Sequence, residues 1–254
     1  MKKLIPILTL AMAPILGNAA LLDEVKVHDD TTAPIGHHET ELHINTTPSG
    51  ISTPSYAGEI MNNHGTRVTP EISYGLTKNV EAALLIPVVA ESDATLHAAG
   101  LRARIKWMPL KAEDNQGFFA GINLQYGQVG SRFNQDLRNM EVKGIVGWKN
   151  PNWLISVNPA LDYKASSSLN MSAPELLLST KVSYRIGESN WLGWEQYSDM
   201  GPRSETVPYD QQNRVNYAVF DHKAKHMNYS LGVGKGATSN SDNWTVKATV
   251  DLPF

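Results

Sequence analysis

Apolar and polar side chains alternate along most of this chain. The last segment is the cleanest, with Trp244, Val246, Ala248, Val250, Leu252 and Phe254 interleaved with Asn243, Thr245, Lys247, Thr249, Asp251 and Pro253. A period of two puts one set on each face of a strand. The rhythm recurs in Val68, Ile72, Tyr74 and Leu76, in Leu101, Ala103, Ile105 and Trp107, and in Met140, Val142, Gly144, Val146 and Trp148. It returns in Leu176, Leu178, Thr180, Val182 and Tyr184, and in Met227, Tyr229, Leu231 and Val233. With the weaker segments included, the pattern predicts about twelve strands of roughly ten residues, the length that crosses a bilayer when tilted. They cover 37–47, 66–76, 79–89, 97–108, 117–128, 138–149, 152–163, 174–186, 190–198, 212–221, 225–235 and 243–254.

The connections alternate in length. Tight turns are expected at 77–78, 150–151, 187–189 and 222–224, whereas 48–65, 164–173 and 199–211 are long. Short periplasmic turns and longer external loops are the habit of an outer-membrane barrel, while a secreted β-sandwich has no reason to sort its loops by parity. The chain therefore reads as all-β, a closed antiparallel transmembrane β-barrel. Pro70 interrupts this reading, because it removes a ladder donor inside the second strand; it marks a bulge, or the strand starts at Glu71.

The beginning of the chain is a targeting segment. Met1, Lys2 and Lys3 precede a charge-free apolar run from Leu4 to Leu16, and Gly17 and Ala19 supply small residues for cleavage. Residues 1–19 are thus expected to be a signal peptide, 20–36 a short acidic periplasmic segment, and 37–254 the barrel. The expected destination is the outer membrane of a Gram-negative-type envelope, reached through the periplasm.

Composition would mislead by itself. A mean hydropathy of -0.29 with 41% hydrophobic residues excludes a helical membrane bundle, but a barrel shows lipid only every second residue. The balance of 22 basic against 25 acidic residues gives no reason to expect nucleic acid, and without cysteine there is no disulfide framework or lipoprotein attachment site.

Aromatic residues gather at the strand ends. Trp107, Trp148, Trp153, Trp191 and Trp194 fall at the short-turn rim with Tyr74, Tyr184 and Phe254, and Tyr126, Tyr163 and Trp244 at the other. Such rings form the two interfacial girdles of a membrane barrel. The terminal Phe254 on an alternating strand resembles the signal by which outer-membrane barrels are handed to their assembly machinery, an expected partner beside the lipid itself.

The alternate positions would line a lumen. Glu39, Glu41, His43, Glu71 and Glu81 make an acidic wall, and Arg102, Arg104 and Lys106 a basic ladder. Later strands add Glu141, Lys143, Glu175, Lys181, Arg185, Arg214, Lys247 and Asp251. A hairpin folding near 92–93 would set Glu81 opposite Arg104. Such charges can line an aqueous pore for a small solute, or pair across the lumen and plug it.

One hairpin carries a family resemblance. The run Ile72-Ser73-Tyr74-Gly75-Leu76-Thr77-Lys78-Asn79-Val80-Glu81, continuing to Leu84-Leu85-Ile86-Pro87, resembles the tyrosine-glycine-leucine-threonine hairpin of the phenol meta-pathway outer-membrane barrels. Lys78 stands where that family commonly has an acidic residue. The resemblance covers about 18 residues and implies transport of a small molecule, with no catalytic residues to carry over.

Other chemistry is thin. His64, and Ser166 to Ser168, would be the material for a lipid-modifying enzyme, but no His-x-Ser strand motif exists, and both read as solvated loop. His37 and His38 point to opposite faces of a strand and cannot share an ion, and His222 with His226 reads as a solvated rim. Gly232, Gly234, Lys235 and Gly236 lack the hydroxyl residue and the helix of a phosphate loop. No catalytic residue, metal or cofactor is expected. A barrel whose 48–65 loop binds a surface partner is a further reading.

Overall fold

A computed structural model describes residues 24–93, 95–165, 173–224 and 227–252. The leader 1–19, Phe254, Ser166 to Ser168 and His226 lie outside the described residues. The chain forms hydrogen-bonded segments β1 (His38–Ser49), β2 (Thr66–Thr77), β3 (Val80–Leu85), β4 (Val88–Ala90), β5 (Leu96–Ala98), β6 (Gly100–Leu110) and β7 (Gly117–Val129). It continues through β8 (Arg138–Lys149), β9 (Trp153–Ala165), β10 (Glu175–Arg185), β11 (Asn190–Pro202), β12 (Asn213–Ala224), β13 (Met227–Gly236) and β14 (Trp244–Leu252). β3 runs on into β4 and β5 into β6, so these segments make twelve antiparallel strands. β1 pairs with both β14 and β2, which closes the barrel.

Burial runs opposite to that of a soluble protein. Exposed outward positions include Ile72, Leu101, Ile105, Leu124, Val146 and Val233, while the inward His43, Glu71, Arg104, Asn123, Asn158 and Glu195 are buried. A closed ladder with an apolar exterior leaves no unpaired backbone group for lipid to meet.

Pro70 neither bulges β2 nor starts it. Val68 pairs with Val88 and Glu71 with Leu85 in one unbroken register. The gap in the ladder lies in the partner, between β3 and β4, where Pro87 stands beside Ile86, whose N–H reaches the Pro70 carbonyl at 3.0 Å. In that register Ile86 stands opposite Pro70 and Pro87 opposite Thr69, so the two residues without donors lie one step apart at the same break in the ladder.

The expected pairing of Glu81 with Arg104 is displaced: Glu81 pairs with Lys106, and Arg104 with Ala83. One step of the two-residue shift comes from the β4–β5 register, which centres on Asp93. The other comes from an extra residue at the join of β5 and β6, where Gly100 takes φ +154° and a Cβ would come within 2.2 Å of the Gln128 carbonyl oxygen. β12 runs on to Ala224, which moves the turn expected at 222–224 beyond it.

Two residues face the other way from their sequence reading. Trp191 is not in the girdle. It pairs with Arg185 and Asp221, points inward and packs on buried Met108, Phe119, Ile145 and Leu154. Trp191 and Trp194 are an odd number of residues apart in an unbulged strand, so they cannot share a face. Arg214 is not in the lumen: it pairs with Ser198 on the outer face of β12, while Val215, Tyr217 and Val219 turn inward and gather around Val25. Trp191→Ala should therefore cost about 3 kcal/mol of stability, as for an aromatic removed from a core. Trp194→Ala, at a site 42% exposed, should cost far less. Urea unfolding in lipid vesicles reads the difference, and equal losses would return Trp191 to the girdle.

Candidate functional site

Fifteen of the sixteen residues assigned to the lumen project inward, Arg214 being the exception. Glu39 lies at the short-turn mouth, and Arg185 there donates to the carbonyls of Gly187 and Glu188 at 2.8 and 2.5 Å. Of the aromatic set, Tyr74, Trp107, Trp148, Trp153, Tyr184 and Trp194 stand outward toward the short turns. Tyr126, Tyr163 and Trp244 do so toward the long loops. Trp153 and Tyr184 touch, their ring centroids 4.7 Å apart.

The segment expected outside the barrel occupies its lumen. From Glu24 to Pro34 the chain has no regular secondary structure, bends at Asp30 and has no ladder partner of its own, so most of its polar groups depend on wall side chains. The N–H of His28 donates to Asn158 Oδ1 at 2.7 Å, and its carbonyl accepts from Ser156 Oγ at 2.6 Å and Asn158 Nδ2 at 3.1 Å. The Val25 carbonyl accepts from Lys247 Nζ at 3.0 Å and that of Thr31 from Lys106 Nζ at 2.5 Å, while the Ala33 N–H donates to Glu81 Oε2 at 2.7 Å. Asp30 accepts from Lys149 Nζ at 2.6 Å and the Ala112 N–H at 3.0 Å. Nearby, burial pulls the Lys111 ammonium down, opposed by the Asp30 and Glu81 charges. The chain leaves across β2, where Gly36 donates to the Gly75 carbonyl at 2.8 Å.

Gly75 is required there. A Cβ on it would lie 2.2 Å from the Pro34 carbonyl oxygen and 2.5 Å from that of Ala33. Both obstacles are backbone, which cannot swing aside as a side chain would. Gly75→Ala is expected to unseat the segment while leaving β2 paired. Faster trypsin cleavage after Lys26 in the folded barrel would reveal it, and unchanged cleavage would count against it.

Two charge networks surround the segment. In the first, Arg104 donates to Glu24 at 2.8 and 2.9 Å and to Glu71, and Glu71 meets His43 Nε2 at 3.1 Å. Lys26 joins through Glu41 at 2.5 Å. In the second, Glu195 lies between Lys247 and Lys181, the latter at 2.9 Å, and Lys181 also meets Asp221 at 2.7 Å. Tyr197 Oη donates to Glu195 at 2.5 Å. Glu24, His43 and Glu71 bring three possible metal donors within 4.8 Å of one another, but the Arg104 guanidinium bridges both carboxylates and supplies the positive charge a cation would bring.

Glu195, Asp221, Lys149, Asn158 and Ser156 were missed by the sequence reading. Their signal was the same alternation: Lys149 is six residues from the inward Lys143 on β8, and Glu195 stands across the ladder from the inward Lys181.

Above Glu24, Val25 and Lys26 lies a cavity of about 170 Å³, ringed by Arg102, Lys143, Tyr197, Asp199 and Tyr217 among others. Loops fold toward its mouth. The Ile51 N–H and Asn62 Nδ2 donate to Asp242 at 2.9 and 3.2 Å, tying the 50–65 loop to the one before β14. Burial pushes the Asp242 carboxyl up, and these two donors pull it back. Ile60 packs with Val89, Ala99 and Phe133 beside this tie. His64 is exposed in the same loop with φ 61°, its N–H donated to the Thr47 carbonyl at 2.8 Å. His222 meets Asn190 Oδ1 at 2.8 Å and stacks on Tyr229, and His38 leans on Tyr74.

No protein-family model matches the chain, and no curated protein matches it in sequence. Solved structures do match in fold. The COG4313 outer membrane channel from Pseudomonas putida F1 superposes with a TM-score of 0.61 at 12% identity, over 91% of this chain and 100% of that one. The KdgM porin, solved in complex with disordered oligogalacturonate, gives 0.56 at 9% identity over 86% of this chain and 99% of that one. The NanC porin gives 0.55 at 11% identity over 85% and 100%. At these identities the likeness is one of fold, that of outer-membrane barrels of the porin and channel kind.

Proposed function

We propose that this protein is an outer-membrane channel for small polar solutes, passive and without catalytic residues, whose lumen is closed at rest by its own residues 24–34. The observation that carries the proposal is the seating of that segment. Its backbone is held by side chains from β6, β9 and β14 and contributes no ladder to the wall, so the barrel closes with or without it. Barrels of 8 strands are just filled by their own side chains, and those of about 16 leave an aqueous channel. Twelve strands leave room of the order of one chain, and here that room holds residues 24–34.

Lumen charges of both signs pair with one another and with the inserted segment, which favours small neutral or zwitterionic solutes over highly charged ones. The likeness to porins supports passage, and the hairpin 72–89 with its resemblance to phenol meta-pathway barrels supports a small organic molecule as cargo. In this reading residues 1–19 are a leader removed on export, and Phe254 ends the strand read by the assembly machinery.

The test is planar-bilayer recording of the refolded mature chain, with swelling of solute-loaded liposomes. Discrete conductance steps with weak ion selectivity are expected. A properly folded barrel that never conducts, even after the segment has been removed, would sink the channel reading and leave the plugged structural barrel.

A further inference from the structure

The outer wall of a membrane barrel meets hydrocarbon over its middle, and a formal charge is tolerated there only where it reaches the headgroups. On the outward positions of the described strands, formal charge is confined to Arg138, Arg214 and Lys235, all of them basic. Each stands within two residues of the long-loop end of its strand: Arg138 opens β8, Arg214 is second in β12, and Lys235 is next to last in β13.

Arg214 and Lys235 form a patch. Lys235 pairs with Asn216, so Arg214 is its diagonal neighbour on the same face, on the order of 7–8 Å away. Lys235 also faces Trp244 across the ladder, its Nζ 4.8 Å from the ring centroid. The Arg214 guanidinium lies 4.7 Å from the Tyr209 ring, and its Nε donates to Gln212 Oε1 at 2.8 Å. Both rings are open to the surroundings, Trp244 at 47% and Tyr209 at 59% exposure. Neither cation meets a carboxylate among the described residues, whereas inside the lumen Lys26, Arg104, Lys181 and Lys247 all do.

We propose that this patch binds the phosphate of an anionic lipid in the leaflet on the long-loop side. The terminal amino groups of Arg214 and the ammonium of Lys235 donate to the phosphate oxygens. Tyr209 and Trp244 hold the two cations upright at the boundary between headgroup and acyl chain. Charge complementarity selects this occupant: two cations side by side that meet no carboxylate, with no acidic residue among the described outward positions, match a dianionic headgroup and gain little from a zwitterionic one.

The test uses the full mature chain refolded in neutral detergent micelles and titrated with diphosphorylated lipid A, with native mass spectrometry as readout. Arg214→Ala with Lys235→Ala is expected to weaken binding roughly 30-fold, and either alone about fivefold. Arg214→Gln serves as a milder variant, and heat-modifiable gel mobility verifies that each is folded. The proposal is overturned if the double variant binds lipid A as the parent does, if dephosphorylated lipid A binds as tightly, or if inorganic pyrophosphate alone displaces the lipid at equal concentration, which would mark a free-phosphate site.

Discussion

Deleting residues 24–34 is expected to raise the open probability, and with it the mean conductance, severalfold while leaving the barrel folded. The segment contributes no strand to the closed sheet, so its loss removes no ladder hydrogen bond. Its hold on the wall is finely balanced. Ordering such a chain costs roughly 1–2 kcal/mol per residue, and its polar contacts return about 0.5–3 kcal/mol each, the charged ones most. Between Glu24 and Ala33 there is close to one such contact per residue, with Val25 adding a small apolar gain against Tyr217 and Val219. Gain and cost nearly cancel, which is what a displaceable plug needs. Asn158→Ala should then give an intermediate result. It removes the donor and the acceptor that clamp His28, and the full chain should flicker between the closed level and the level of the deletion variant. If deletion leaves conductance unchanged, the constriction lies elsewhere, with the tie between Asp242 and the 50–65 loop as the next place to cut.

The architecture was legible in the sequence because Val68, Ile72, Tyr74 and Leu76 alternate with Thr69, Glu71, Ser73 and Gly75, which gives one apolar face. The sorting of short turns and long loops to opposite ends places that face against lipid rather than in a sandwich core. The same alternation shows which charges turn inward, and it fails where the inner face is also apolar. β12 is that place. Val215, Tyr217 and Val219 face Val25 of the inserted segment, while Ala218 and Phe220 face lipid, so neither set was marked as inward and Arg214 was assigned to the wrong side. Trp191 was misplaced for a related reason, since a tryptophan near a strand end suits a girdle and an inner cluster equally well until its spacing from Trp194 is counted. The inserted segment left the weakest trace. It borrows its hydrogen bonds from Asn158, Ser156, Lys106 and Glu81, residues far away in the chain, and no local period records partners at such separation.

Neutralising Glu195 is expected to cost about 3–5 kcal/mol, the usual consequence of removing one partner from a buried ion pair. Glu195 is 1% exposed and stands between two lysines, so Glu195→Gln would leave Lys247 without a carboxylate and Lys181 with Asp221 alone. The cost arises from the cations left behind more than from the lost attraction, and a second substitution separates the two. Lys247→Met added to Glu195→Gln removes the stranded charge, and the double variant should recover most of the stability in urea unfolding from lipid vesicles. Because Lys247 also holds the Val25 carbonyl, that recovery should come with a looser plug, seen as a higher open probability in bilayer recordings at restored stability. If Glu195→Gln unfolds at the parent's urea concentration, the network is hydrated in the lumen and its pairs contribute no more than surface ones, about 0–1 kcal/mol each.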